Sequence, residues 1–312
     1  MEQGNLPIFL IEDLAHNCMR PNNKHHSLVH HYTSPSIVGG ILEKENIKLR
    51  FTRADCMNDA LEGAYADITF KSSCDFLFNA EEIDENYYMF LRHYDRLAIE
   101  YYSKDDCHPL WKARYEEVCL DYEYYLCCFS QNMDSLSLWN YYVKDRSYQG
   151  YSIGFDTRKM MFGIQGIEKV DVYFCSTEYS EFGQTCMDLI LKYKDFYSTA
   201  DQLGKAKLSI LLKCFLEKNR LVVKHSCFFH EEEVRCVIKL KKNNNLKKEI
   251  DWSKGFPRPY IELEFDKKAF KVIIIGPLTT KDISKRITEE FLDSRGYPYL
   301  NRVRNSGVPI RF

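Results

Sequence analysis

The run Phe228-Phe229-His230-Glu231-Glu232-Glu233-Val234-Arg235-Cys236-Val237-Ile238 constrains the fold more than any other stretch of the chain. Read as a β-strand, its side chains alternate. Glu231, Glu233 and Arg235 then point one way, and Glu232, Val234 and Cys236 the other. Carboxylates and a guanidinium on one face are costly to bury unpaired. Such a strand either lies at a sheet edge with its charges in water or lines a cleft. In a cleft, a carboxylate stabilises a developing cation and an arginine grips an anionic group through two parallel hydrogen bonds. The strand alone leaves both alternatives open.

The 312 residues suffice for one large domain or two modest ones. With 45% apolar and 28% charged residues the composition is that of a folded protein, and the net charge of −2 makes no global case for nucleic-acid binding. Twenty-two Tyr and 20 Phe are an excess whose main use is core packing. Twelve Cys include no Cys-x-x-Cys pair, and Cys127-Cys128 are adjacent and so point to opposite strand faces, a poor metal geometry. Met1 to Arg20 carries Glu2, Glu12 and Asp13 and no basic leader, and no apolar run reaches the ~18 residues that span a bilayer. The expectation is a cytoplasmic chain with reduced, mostly buried thiols, no membrane contact and no metal.

Residues 1–24 read as a polar lead-in with a weak helix near 9–17, and residues 25–312 as one α+β domain with helical insertions at about 65–125 and 180–222. Strands are expected at 27–32, 47–51, 126–130, 150–155, 169–173, 228–239, 260–265, 270–275 and 299–304. Helices are expected after Ser34-Pro35, at 76–125 (Tyr87, Phe90, Leu91, Tyr94, Leu97 and Tyr101 recur at three and four), at 135–143, at 180–220 with a break near 198–204, and at 282–295 before Gly296. The Lys- and Asn-rich residues 241–248 read as a solvated hairpin tip. Short strands interspersed with helices favour a central mixed, mostly antiparallel sheet.

Four further constellations carry candidate chemistry. His30-His31-Tyr32-Thr33-Ser34 sits where a strand turns into a helix, a place that often faces a cleft; it is also a common packing arrangement. Asn58-Asp59 with Glu62 reads as an Asx turn, or with His31 as a metal cluster. Ser130 ends a strand before Trp139 and Tyr142, and no Gly-x-Ser-x-Gly elbow surrounds it. Gly276 in Ile275-Gly276-Pro277 permits a tight turn or a close backbone approach. No Gly-Lys-Ser/Thr phosphate loop or Gly-x-Gly-x-x-Gly fingerprint is present.

His31-Tyr32-Thr33-Ser34, Asn58-Asp59 with Glu62, Cys128-Phe129-Ser130, Trp139 with Tyr142, Gly150 to Phe155, Glu231-x-Glu233-x-Arg235, Ile275-Gly276-Pro277 and Ser306 to Arg311 follow in that order. Together they resemble the bacterial family called domain of unknown function 2971, which is similar to abortive-infection phage-resistance proteins of the AbiG type. The resemblance covers roughly residues 28–312. It departs from the family in Phe228-Phe229, where a Trp is expected, and in the aromatic insertion at about 65–125. The family implies no activity.

His31, Ser130 and Glu231-x-Glu233 also resemble, in chain order, the His, Ser and Glu-x-Glu of ADP-ribosyltransferases. That resemblance implies an ADP-ribosyltransferase-like fold and NAD as substrate. Glu233 would stabilise the oxocarbenium-like cation as nicotinamide leaves. Glu231 would orient or deprotonate the acceptor, and His31 would anchor a ribose hydroxyl. Ser130 would complete the catalytic set, with Tyr32, Thr33, Tyr151 and Arg235 binding NAD. The expected partner is a macromolecular acceptor, protein or nucleic acid. The alternatives are a defence nuclease with Mg²⁺ on Asp59, Glu62, Glu231 and Glu233 and phosphate on Arg235, and a non-enzymatic sensor or binding module.

Overall fold

The computed structural model describes residues 27–57, 64–105, 107–120, 122–143, 148–163, 171–179, 182–253, 255–279, 281–298 and 300–309. The expected lead-in with its weak helix, and Asn58, Asp59 and Glu62, lie outside the described residues. In chain order the elements are β1 (Leu28–Thr33), α1 (Pro35–Ile41), β2 (Ile47–Arg53), α2 (Tyr65–Asn79), α3 (Glu85–Tyr102), α4 (Pro109–Tyr115), β3 (Tyr122–Ser130), α5 (Leu136–Tyr141), β4 (Tyr151–Asp156), α6 (Thr157–Gly163), β5 (Asp171–Ser176), α7 (Phe182–Thr199), α8 (Gln202–Asn219), β6 (Glu233–Lys241), β7 (Glu249–Asp251), β8 (Arg258–Phe265), β9 (Phe270–Ile275), α9 (Lys281–Ser294) and β10 (Val303–Asn305).

The chain divides into two compact units. Of the described residues, one takes those within 57–123 and 178–227; the other takes those within 27–56, 124–177 and 228–309. The two stretches expected as helical insertions thus contribute to the same unit.

The helical unit contains α2, α3, α4, α7 and α8. Two of its helices start where short acidic side chains satisfy orphan amides. Asp84 accepts from Tyr87 N at the head of α3, and Asp201 from Gly204 N at the head of α8. Tyr87, Phe90, Leu91, Tyr94, Ala98 and Tyr101 form the buried stripe of α3. Leu97, expected on that stripe, is only half-buried, and Ala98 takes the central place. The expected helix over 76–125 is broken twice, and its last residues are the start of β3. The aromatic and β-prone Tyr122, Tyr124 and Tyr125 favour a strand there.

The sheet unit is α+β. Its ten strands run β10-β9-β4-β1-β3-β2-β8-β7, with β6 paired to both β3 and β5. Only β9–β10 is parallel among the pairs with a defined register, so the sheet is mixed and mostly antiparallel. Period-two alternation sets the core. Ile47, Leu49 and Phe51 of β2 lie opposite Phe265, Leu263 and Ile261 of β8, and all six are buried. Val29, Phe129, Ile153, Phe155 and Ile273 join them in one large core. On the other face of β1, β4 and β9, a smaller cluster holds Tyr32, Val272 and Ile274 under Leu138 and Trp139 of α5.

The acidic strand begins later than its sequence suggests. Residues Ser226–Glu231 form a 3₁₀ helix, Glu232 has a left-handed backbone (φ 43°), and β6 starts only at Glu233. Glu231 therefore does not share a strand face with Glu233 and Arg235. Nor is β6 an edge: it has two neighbours, and its Val234, Cys236, Ile238 and Leu240 enter the large core. Among the described α-helices and strands, two short elements have no counterpart in the sequence reading. One is α6, whose first amides are capped by Asp156, and the other is β7.

The eleven described cysteines are free thiols. No described helix is long and apolar enough to cross a membrane. Gly276 makes the expected close approach. Its N–H donates to Gly150 O at 2.8 Å, and a Cβ there would lie 2.5 Å from Tyr148 O and 2.9 Å from Gly150 N. Both neighbours are backbone and cannot rotate away. Gly276→Ala should therefore lower unfolding free energy by about 1–3 kcal/mol in urea titration. An unchanged midpoint would refute this packing.

Candidate functional site

The register of β1 decides which histidine faces which partner. His30 pairs with Ser130 across β3 and with Gly154 across β4, while Tyr32 pairs with Ser152. These side chains share one face. His31, one residue along, is on the other face. Its ring meets Phe129 edge-on at 5.6 Å, and its Nδ1–H donates to the Cys128 carbonyl at 3.0 Å. The expectation that His31 faces Ser130 is corrected by this alternation: His30 does.

His30 is buried, with Nδ1 3.4 Å from Ser152 Oγ. Burial lowers its pKa from 6.5 to about 4, so the ring is neutral at neutral pH. Gly154 leaves room for it, since a Cβ there would lie 3.0 Å from His30 Cε1. Burial also lowers the pKa of His31.

Tyr32 is committed to the fold. Its hydroxyl donates to Asn132 O at 2.9 Å and accepts from Ser135 N at 2.9 Å, and its ring stands edge-on to Trp139 at 4.7 Å. Burial, the largest cause, raises its pKa. Thr33 is buried beside it in sequence. Tyr151 pairs with Thr33 and packs against the large core, with its hydroxyl 3.5 Å from Thr288 Oγ1. Tyr32 and Tyr151 therefore lie on opposite faces.

Ser130 and the acidic turn are joined directly. Ser130 Oγ donates to the Glu231 carbonyl at 2.7 Å and accepts from Asn132 N at 3.0 Å. Gln131 N donates to the Glu232 carbonyl at 2.9 Å, and Asn132 Nδ2 donates to Glu232 Oε1 at 3.2 Å. Glu232 is exposed and holds the left-handed backbone conformation that a non-glycine residue rarely adopts. Backbone strain of this kind collects at functional sites. Glu231 is buried.

Glu233 and Arg235 form a bidentate pair, Nε to Oε1 at 3.1 Å and Nη2 to Oε2 at 3.2 Å. Their side chains are 3% and 0% exposed. The expected sharing of a face by these two is observed, with the charges paired to each other.

Asp134 is a residue the sequence reading missed. Its carboxylate accepts from Trp139 Nε1 at 2.7 Å, Ser306 Oγ at 2.6 Å and Gly307 N at 2.7 Å. Asn132 Oδ1 in turn accepts from Asp134 N at 3.1 Å, an Asx turn. The signal was Asn132-Met133-Asp134 directly after a strand, together with the polar Ser306-Gly307 near the end of the chain. The structure thus gathers Tyr32, Ser130, Asn132, Asp134, Glu232 and Ser306 through one set of hydrogen bonds. Among the described residues, no group of three or more His, Cys, Asp or Glu is placed to hold a metal ion. No protein-family model, curated protein or solved structure matches the chain.

A neutral buried histidine has a pH signature. The unfolded chain binds the His30 proton near pH 6.5 and the folded chain only near pH 4. Stability should therefore rise with pH across that window and fall as pH drops through it. The slope from this one group reaches about 1.4 kcal/mol per pH unit. Urea unfolding between these pH values should show a shallower slope in His30→Gln. An identical slope in the variant would contradict the placement of the ring.

Proposed function

We propose that this chain is an NAD-consuming bacterial enzyme, a toxin or phage-defence effector working in the cytoplasm, that transfers ADP-ribose to a macromolecule or hydrolyses NAD. The observation that carries the reading is the adjacency of β1, β3 and β6, with Ser130 Oγ 2.7 Å from the Glu231 carbonyl. An early-strand His, a middle-strand Ser and a late-strand acidic segment are the parts that the resemblance to ADP-ribosyltransferases calls for, and here β3 pairs with both β1, whose His30 takes the face expected of His31, and β6. Kinship with domain of unknown function 2971 is part of the same proposal and rests on its eight short motifs in order.

In this reading the working carboxylate is Glu232. It is exposed, held by Asn132 through one oxygen, and has its second oxygen to offer. As the nicotinamide–ribose bond breaks, its electron pair leaves with nicotinamide and positive charge develops on the ribose. A fixed carboxylate stabilises that cation. Water or an acceptor nucleophile then bonds to the ribose carbon and gives up its proton. Glu233 is assigned to the fold because Arg235 holds both its oxygens. That commitment also disfavours the Mg²⁺ nuclease, which needs Glu233 as a ligand. Ser130 and Tyr32 act as positioning residues.

Purified protein, with cell lysate as acceptor source, should release nicotinamide from NAD with or without EDTA. Glu232→Gln should lower the rate by about 10²-fold or more without shifting the thermal midpoint. Full activity in the variant would remove Glu232 from the mechanism. No release under any condition would overturn the NAD reading.

A further inference from the structure

Residues 239–258 carry seven basic and two acidic side chains, a local charge of +5 in a chain of net charge −2. Within this segment β7 is the last strand of the sheet order, and it pairs with β8 through Glu249↔Tyr260, Ile250↔Pro259 and Asp251↔Arg258. Alternation divides the segment into two faces. Glu249 and Asp251 lie on one face and are neutralised there. Glu249 accepts from Lys247 Nζ and from Tyr260 OH at 2.6 Å, and Asp251 pairs with Arg258 Nη2 at 2.7 Å.

Ile250 falls on the opposite face, and it is exposed together with Lys248 and Trp252, which flank β7. Trp252 is 72% exposed, Ile250 50%, and Phe256, in the connection to β8, 48%. Lys241 and Lys242 are exposed where β6 ends. Ile250, Trp252 and Phe256 together form an apolar tip next to exposed lysines.

We propose that this hairpin is a docking surface for single-stranded nucleic acid, with Trp252 and Phe256 stacking bases and Lys241, Lys242 and Lys248 contacting phosphates. Charge complementarity names a polyanion. Two of the three exposed apolar side chains here are planar rings, which stack on bases. An anionic lipid surface would instead favour an aliphatic tip ringed by lysines. The surface is independent of NAD cleavage and would bring a nucleic-acid partner to the protein whichever chemistry the acidic turn performs.

The test is fluorescence anisotropy of labelled oligodeoxythymidine and oligouridine with the full chain, beside sedimentation with phosphatidylserine vesicles. Oligonucleotide binding should weaken roughly ten- to twenty-fold between about 50 and 200 mM salt, as expected for about three phosphate contacts. Trp252→Ala should weaken it by a further five-fold or more, and Trp252→Phe should restore most of the loss. The thermal midpoint of both variants should match the parent, since the side chain is exposed. No binding at low salt, binding indifferent to Trp252→Ala, or capture by vesicles in place of oligonucleotide would each overturn the proposal.

Discussion

The sheet unit depends on a buried ion pair at the start of β6. Glu233 and Arg235 sit two residues apart on one strand face, almost wholly removed from water. Isolated there, either charge would cost several kcal/mol, and the bidentate geometry offsets that cost only while both partners are present. The pair ties charge chemistry to strand position. It requires β6 to be regular from Glu233 onward, so the change of direction out of the 3₁₀ helix falls on Glu232, where the backbone is left-handed. The neighbouring β3 is matched to that turn by the Ser130–Glu231 and Gln131–Glu232 hydrogen bonds.

From this turn the site grows outward by hydrogen bonds rather than by apolar packing. Asn132 holds Glu232 on one side and Asp134 on the other. Asp134 collects Trp139, Ser306 and Gly307, and so binds α5 and the segment after β10 to the end of β3. Tyr32 closes the circuit through Asn132 and Ser135. Each of these side chains is short or planar and has few rotamers, so the loop after β3 is defined by its hydrogen bonds. The exposed carboxylate of Glu232 is the product of this arrangement. It is the chemical group on which the proposed function rests.

Much of the fold was legible in the sequence because it follows from periodicity. The stripe on α3, the alternation in β2 and β8, the apolar β9 and the glycine stop after α9 are all local signals. The site was legible as a set of segments and misread in its details. His30 and His31 differ by one position, and only the register with Ser130 and Gly154 distinguishes the face each takes. Residues 228–232 have strand composition, yet Ser130 and Gln131 recruit the carbonyls of Glu231 and Glu232, and the segment becomes a turn. Asp134 lies 172 residues from Ser306, a pairing no local pattern encodes. Trp252 carries no local signal of its placement, and only the tertiary structure leaves it in solvent.

The central claim is that the charge of the acidic strand is consumed inside the protein by the Glu233–Arg235 pair, which leaves Glu232 as the functional carboxylate. A double-mutant cycle in urea unfolding with Glu233→Gln, Arg235→Met and the combined variant tests it most directly. Each single variant should lose about 3–5 kcal/mol by stranding a buried partner, and the combined variant should lose far less than their sum. Losses that add to within about 0.5 kcal/mol would contradict the claim, because they would mean that the two side chains act independently.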